Sequence, residues 1–250
     1  MMPFDDRGLL LGDGLFETIL AKDGRLVLFE AHIDRMQRSC MALGLPAPDL
    51  GDARALCQDM LDNSGLAGDR AAVRMTLTAG SGGRGLDRPA SPEPHIIATV
   101  APAPRPEGPV VLKTSDVRRN EGSPSARLKT LSYLDNVLAR RMAAPAEALL
   151  LNNRGEIACA AAANIFWIRD GQVFTPHRDC GVLDGVMRRQ VMEAVRVEEV
   201  QAPRAMLESA QAVFLTSSLI GVRPVSRLDG AGLGAHRLVA ELADALGPVS

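Results

Sequence analysis

The chain has 250 residues, 46% of them hydrophobic and 23% charged, with a formal net charge of −2 at pH 7. That length buries one large core or two modest ones, and the balance is ordinary for a globular protein. Charges of both signs are mixed along the chain and aromatics make up 3%, so neither a basic footprint for nucleic acid nor a base-stacking platform is expected.

The opening MMPFDDRG has neither the basic nor the apolar region of a secretory signal, and no apolar run reaches the length of a membrane span. Residues 9–20 read as a strand, with a hairpin partner in GRLVLFE (24–30). A helix is predicted from about Ala31 to Leu43, where Ile33, Met36, Cys40 and Leu43 recur at helical spacing, and Gly44 and Pro46 end it. A second amphipathic helix over 52–66 closes at Gly65. Strands follow at 71–78, 95–100 and 110–114, the first two separated by SGGRGLDRPASPEP (81–94), too rich in glycine and proline for regular structure. The polar SDVRRNEGSPSARL, up to Leu128, reads as a connection between two lobes, giving residues 1–114 as a smaller N-terminal lobe, 115–128 as the link, and 129–250 as a larger C-terminal lobe. In the latter, a helix is expected over 132–143, strands at 148–151, 157–159, 165–169 and 172–175, helices over 185–195 and near 203–209, and a strand at 212–216. Strands and helices intermix without regular βαβ alternation, which predicts an α+β fold rather than a doubly wound sheet. Four cysteines (Cys40, Cys57, Cys159, Cys180) form no C-x-x-C pair, so no disulfide framework and no metal site is expected, and a reducing cytoplasm fits best.

Several segments stand out for their chemistry. RGLLLGDGLFETI (7–19) is a glycine-flanked strand opening, and Gly12 and Gly14 let backbone approach closely. EAHIDRM (30–36) contributes Arg35, whose planar fork suits a phosphate. LDGVMRRQ (183–190) puts Gly185 before a helix, so the N–H groups of Val186 and Met187 can point at an anion. LTSSLIGVRPV (215–225) offers Ser217 and Ser218, and LKTLSYLDNVLARR (128–141) contains Lys129. Each has a plainer reading: a hairpin edge, a solvated arginine, an empty helix start, a serine turn and an inert surface lysine.

Taken together and in order, these segments resemble class IV aminotransferases, the fold-type IV family of pyridoxal 5′-phosphate (PLP) enzymes. That family includes branched-chain and D-amino-acid aminotransferases and aminodeoxychorismate lyase. The resemblance implies a two-lobed α+β fold of the D-amino-acid aminotransferase type, PLP in the cleft as a Schiff base on Lys129, and a homodimer. Arg35, Val186, Met187, Ser217 and Ser218 would anchor the phosphate, and Tyr133, one helical turn after Lys129, would meet the cofactor or the lysine. GDGLFET is closest to the lyase-like and D-amino-acid branch. Thr18 matches a lyase threonine thought to help proton transfer, with a plain strand residue as the alternative. Arg84 matches an arginine of the D-amino-acid enzymes that approaches the substrate, although Leu86 stands where they carry a histidine.

One position departs from the family. Its members carry a glutamate five residues before the Asn of an Asn-(Ile/Leu/Val)-Phe strand, facing the pyridine nitrogen, and here that place is Cys159 in EIACAAAANIFW (156–167). Glu156, an odd number of residues away, would point to the opposite face. A thiol holds a pyridinium poorly, which favours a lyase over an aminotransferase. The expected reaction takes a small-molecule amine, 4-amino-4-deoxychorismate, to 4-aminobenzoate and pyruvate, a step of folate biosynthesis. The rivals are an aminotransferase acting on branched-chain or D-amino acids, and a PLP-binding homologue with little catalysis.

Overall fold

A computed structural model describes residues 3–247 and divides into two units. The first comprises the chain up to Arg105 together with Leu128–Ser132, and the second Pro106–Arg127 with the chain from Tyr133 onward.

In the first unit the elements are α1 (Arg7–Leu11), β1 (Gly14–Lys22), β2 (Arg25–Leu26), α2 (Phe29–Leu43), α3 (Leu50–Asp62), β3 (Ala71–Thr78) and β4 (His95–Pro102). The strands form one antiparallel sheet in the order β2-β1-β3-β4. Period-2 alternation turns Leu15, Ile19, Val73, Met75 and Leu77 to one face, where α2 and α3 supply Phe29, Ile33, Met36, Cys57 and Leu61 to a common core. The strand expected from residue 9 begins later. Asp6 caps residues 7–11 into a short helix by accepting from the Gly8 and Leu9 N–H groups, and Gly12 closes it in the left-handed region.

The second unit contains β5 (Val110–Thr114), α4 (Leu134–Ala143), β6 (Glu147–Leu151), β7 (Ile157–Ala160), β8 (Asn164–Arg169), β9 (Gln172–Pro176), α5 (Val186–Ala194), β10 (Val197–Val200), α6 (Ala205–Glu208), β11 (Ala212–Ser217), β12 (Gly221–Leu228), β13 (Ala231–Gly232) and α7 (Arg237–Leu246). Its sheet runs β10-β9-β8-β11-β12-β5-β6-β7, with β13 on β12. Alternate residues of β8 and β11 serve two cores: Ile165, Trp167, Val213 and Leu215 on one face, Phe166, Ile168 and Phe214 with Val191 of α5 and Val239 and Leu242 of α7 on the other. Helices lie against sheet faces in both units, and the fold is α+β as expected.

The lobe boundaries need correction. Residues 110–114 pair in parallel with β12 and β6, so they belong to the second unit, as do 115–127. Residues 128–132 belong to the first, because they hydrogen-bond to β1. Lys129 is therefore carried by the unit that was expected to lack it. Among the described residues, all four cysteines are free, no helix is long and apolar enough to cross a membrane, and no group of His, Cys, Asp and Glu is arranged to hold a metal.

Candidate active site

Lys129 is held in extended backbone alongside the start of β1. Its carbonyl accepts from Phe16 N–H at 2.9 Å, Leu131 N–H donates to Gly14 O at 3.0 Å, and Thr130 bridges to Leu15. Residues opposed in this way share a face. Lys129 accordingly projects with Phe16, its Nζ 4.1 Å from the ring centroid, while the Arg74 guanidinium carbon stands 3.7 Å from the same ring. Thr18 lies on this face too, half-buried and opposite Arg74 in the register. Gly14 makes the close approach possible: a Cβ there would stand 2.3 Å from Leu77 O and 2.8 Å from Leu131 Cδ1. Tyr133 is not a helical turn beyond Lys129. The intervening residues follow β1, and Tyr133 is itself the residue before α4.

The other face of β1 carries a charge into the core. Glu17 shares that face with Leu15 and Ile19 and is 1% exposed. Two α2 residues three positions apart, His32 and Arg35, meet it from one side of their helix. Arg35 Nε and Nη2 donate to the two Glu17 carboxylate oxygens at 2.8 and 2.5 Å, and His32 Nδ1 donates at 2.8 Å. Burial would push the Glu17 carboxyl up, but the Arg35 charge and the His32 and Arg35 hydrogen bonds outweigh it and hold it at about 2. His32 is lowered, foremost by burial, against its bond to Glu17 and together with the charges of Arg35 and Lys129. The sequence marked Arg35 and missed its counter-ion, although a glutamate in phase with Leu15 and Ile19 was the available signal.

In the second unit Cys159 lies on β7 opposite Leu150, buried with Ala139, Ala143, Ala148 and Ala161. Burial pushes its thiol up, while the charge of Arg119 pulls the other way. Arg119 is tied to Gly181 O at 3.0 Å and to Asn136 Oδ1 at 3.3 Å, and Asn136 Nδ2 reaches Ala161 O at 2.7 Å. Glu156 does not replace the missing carboxylate. It is engaged by Arg154 at 2.8 Å and Asn152 at 2.6 Å.

The start of α5 has the geometry of an anion seat. Gly185 is its N-cap in extended conformation and no side chain caps the first turn, where Val186 and Met187 lie. A Cβ on Gly185 would stand 2.0 Å from Asn164 Oδ1, so glycine alone permits that approach. Asn164 Nδ2 ties β8 to Leu183 O at 2.9 Å, and Asn164 opposes Thr216 across β8 and β11. Thr216 Oγ1 is buried without a hydrogen-bond partner, and Ser217 and Ser218 follow it, half-buried. The neighbouring arginines do not serve this seat: Arg188 pairs with Glu199, and Arg189 with Asp184 at 2.6 Å. Asn164 and Thr216 were not foreseen as site residues: Asn164 entered only as the mark from which Cys159 was placed, and Thr216 only as the residue before the two serines. Arg84 is exposed, in the loop after β3.

Such a fold, with a lysine bound to the first strand and an uncapped helix start beside hydroxyls, defines a class. The family model of amino-transferase class IV matches residues 14–228, and the chain belongs to that family. Among its relatives, an aminodeoxychorismate lyase of Vibrio harveyi is 31% identical over 90% of this chain and 86% of its own. A putative branched-chain-amino-acid aminotransferase of Methanocaldococcus jannaschii is also 31% identical, over 90% and 82%. The crystal structure of 4-amino-4-deoxychorismate lyase from Pseudomonas aeruginosa superposes with a TM-score of 0.88 at 31% identity, covering 98% of this chain and 94% of that one. A hypothetical aminotransferase from Mycobacterium tuberculosis, in a PLP-bound form, gives 0.83 at 26%, covering 98% and 93%.

Proposed function

We propose that this chain is a PLP-dependent 4-amino-4-deoxychorismate lyase, releasing 4-aminobenzoate and pyruvate and working in the cytoplasm as a homodimer. Cys159 carries the reading. A buried thiol among alanines stands where the resemblance assigns the carboxylate that faces the ring nitrogen. Transamination leans on a protonated ring, whereas an elimination that creates an aromatic product has a driving force of its own. The names of the Vibrio and Pseudomonas relatives support the same assignment.

The donor set suits a phosphate: free N–H groups at the α5 start, the unpartnered Thr216 hydroxyl and the adjoining serines. In this reading Val186, Met187, Ser217 and Ser218 hold the phosphate, whereas Arg35, expected to join them, is buried with its Nε and Nη2 on Glu17. PLP, when bound, supplies an aldehyde for the substrate amine and a ring that withdraws electrons from the bond to be broken. Lys129 Nζ would be the amine that carries the cofactor and, once freed, the base that takes the proton from the substrate carbon bearing the amine. Thr18 Oγ1 passes a proton toward the leaving three-carbon group, Tyr133 steadies the lysine or the cofactor's phenolic oxygen, and Arg84 meets a substrate carboxylate.

Borohydride treatment of the PLP-loaded protein, followed by peptide mass analysis, is expected to fix the cofactor on Lys129. Paired assays should then find pyruvate and 4-aminobenzoate in equal amounts, with little keto-acid exchange. Label on another lysine, or none, defeats the cofactor assignment. Exchange without 4-aminobenzoate moves the chain to the aminotransferase reading, which the Methanocaldococcus relative and Arg84 favour.

A further inference from the structure

We propose that Arg7, with Asp13 and Arg88, is a positioning clamp that fixes the 82–87 loop in the shape that presents Arg84 to a substrate carboxylate. The inference rests on the reading above in one respect, that Arg84 meets the substrate.

Arg7 belongs to α1 and is 4% exposed, so its donors must be satisfied inside the protein. They are met almost wholly by one loop. Nη1 donates to Asp87 O at 2.9 Å and lies 3.4 Å from both Gly82 O and Gly85 O, and Nη2 donates to Leu86 O at 2.9 Å. Four carbonyls from six residues converge on a single cation. The planar fork of an arginine can serve them together, and the point charge of a lysine cannot.

Nε of Arg7 donates to Asp13 Oδ2 at 3.0 Å, and Arg88, at the end of the loop, donates to the same carboxylate through Nε at 2.9 Å and also through Nη2. Arg88 Nη1 is bound in turn to Leu43 O at the end of α2. The loop is thus held from within and at its exit, and both ties close on the aspartate of the GDG segment. Within the loop itself the backbone bond is Asp87 N–H to Arg84 O, 3.1 Å.

Of the Arg7 nitrogens, Asp13 accepts from Nε alone, and both terminal ones are left to the loop carbonyls. Arg7 gathers the carbonyls inward and leaves the side chains of Arg84 and Leu86 facing out, Leu86 being 84% exposed. A guanidinium beside an aliphatic side chain on a rigid loop suits a carboxylate attached to a ring or other apolar body.

The test uses the full-length, PLP-loaded protein and the variants Arg7→Gln, Arg88→Gln and Arg84→Ala. Trypsin cleavage at the Arg84–Gly85 bond is followed by mass spectrometry, and KM and kcat are measured with aminodeoxychorismate. Arg7→Gln should speed that cleavage by about tenfold or more, because local opening no longer breaks the clamp. It should raise KM by about five- to tenfold with a smaller change in kcat, a split that a general loss of folded protein does not produce. Arg84→Ala should reproduce the KM rise. Arg88→Gln, which releases only the loop exit, should show the same pattern more weakly and guards against failure of Arg7→Gln to fold. A loop that stays uncut in both glutamine variants overturns the clamp, whatever the chain catalyses. A loop that is cut with KM unmoved overturns its link to the substrate. If the wild-type protein makes no 4-aminobenzoate, the lyase reading falls alone, and the clamp is judged by cleavage together with KM for an amino acid in keto-acid exchange.

Discussion

The two units treat their buried site residues in opposite ways. On β1 the first unit carries a carboxylate into an apolar core and surrounds it with Arg35 and His32, so the charge persists because its counter-charge is buried with it. On β7 the second unit has a thiol at the place where the family resemblance implies an acid, and packs it with alanines. Charge is kept where a helix supplies a guanidinium fork and omitted where alanines close around the side chain. In the proposed reading, a ring nitrogen placed against β7 would face a thiol rather than a carboxylate, and elimination would lean less on its protonation than transamination does.

The strongest way to break the comparison is Glu17→Gln. It leaves Arg35 buried without a counter-charge, and a broken buried pair costs about 3–5 kcal/mol. Urea unfolding should show the loss, and an unchanged midpoint would mean that the trio is ornamental. The pH dependence fixes the sign. Glu17 is held at about 2 against an ordinary 4.5, so its stabilisation is complete above 4.5 and disappears as pH falls toward 2. His32 is lowered as well, so the unfolded chain binds that proton first and acid destabilises from the ordinary histidine range downward. In Glu17→Gln the share of the slope below 4.5 that Glu17 contributes should vanish, while the shares of His32 and of Asp6, Asp13, Asp184 and Asp229, also held low, remain; unfolding midpoints at several pH values would reveal the difference.

Cys159→Glu sharpens the other side. A carboxylate buried among Ala139, Ala143 and Ala148 costs more than the ~1–3 kcal/mol of a neutral unsatisfied group, and the charge of Arg119 offsets only part of it. If the cofactor's ring nitrogen lies there, PLP should restore much of that stability, shift its own absorbance and raise keto-acid exchange relative to pyruvate release. A variant destabilised equally with and without PLP, and unchanged in reaction ratio, would count against this placement of the ring.

Much of this architecture was legible where periodicity ran long. The strand at 71–78 was read with the boundaries it has, and the helix ending at Leu43 with the end it has. Residues 7–11 were misread because a five-residue helix is too short to show a period, and its apolar run imitates a strand. No element was expected beyond residue 216, yet Leu238, Val239 and Leu242 display helical spacing in α7, a signal that was there to be used. Lys129 was singled out through its neighbours in sequence. Its pairing with Phe16 and Gly14 was not, since a contact between residues more than a hundred positions apart leaves no trace in local pattern. The same holds for the Glu17 trio and the Arg7 clamp, where each residue type was visible and its partner was not.

The smallest expected effect is also the most selective. Thr216 Oγ1 is buried and without a partner, whereas the hydroxyl of Thr175, another buried strand threonine of this unit, donates to Ile165 O at 2.9 Å. An unpaired buried hydroxyl carries a desolvation cost with no bond to offset it. Thr216→Val keeps the branched shape and removes that cost, so the cofactor-free protein should be unchanged or more stable by up to about 1 kcal/mol. With PLP the order should reverse, because the wild-type hydroxyl gains an acceptor and valine offers none; affinity should fall by about 0.5–1.5 kcal/mol, roughly two- to tenfold. Thr175→Val is the internal control, since it breaks an existing bond and should destabilise both forms alike. Thermal melts with and without PLP, together with a PLP titration, measure all four quantities. If Thr216→Val binds PLP as tightly as the wild type, the hydroxyl does not face the phosphate, and the seat at the start of α5 must be built from Val186, Met187 and the serines alone.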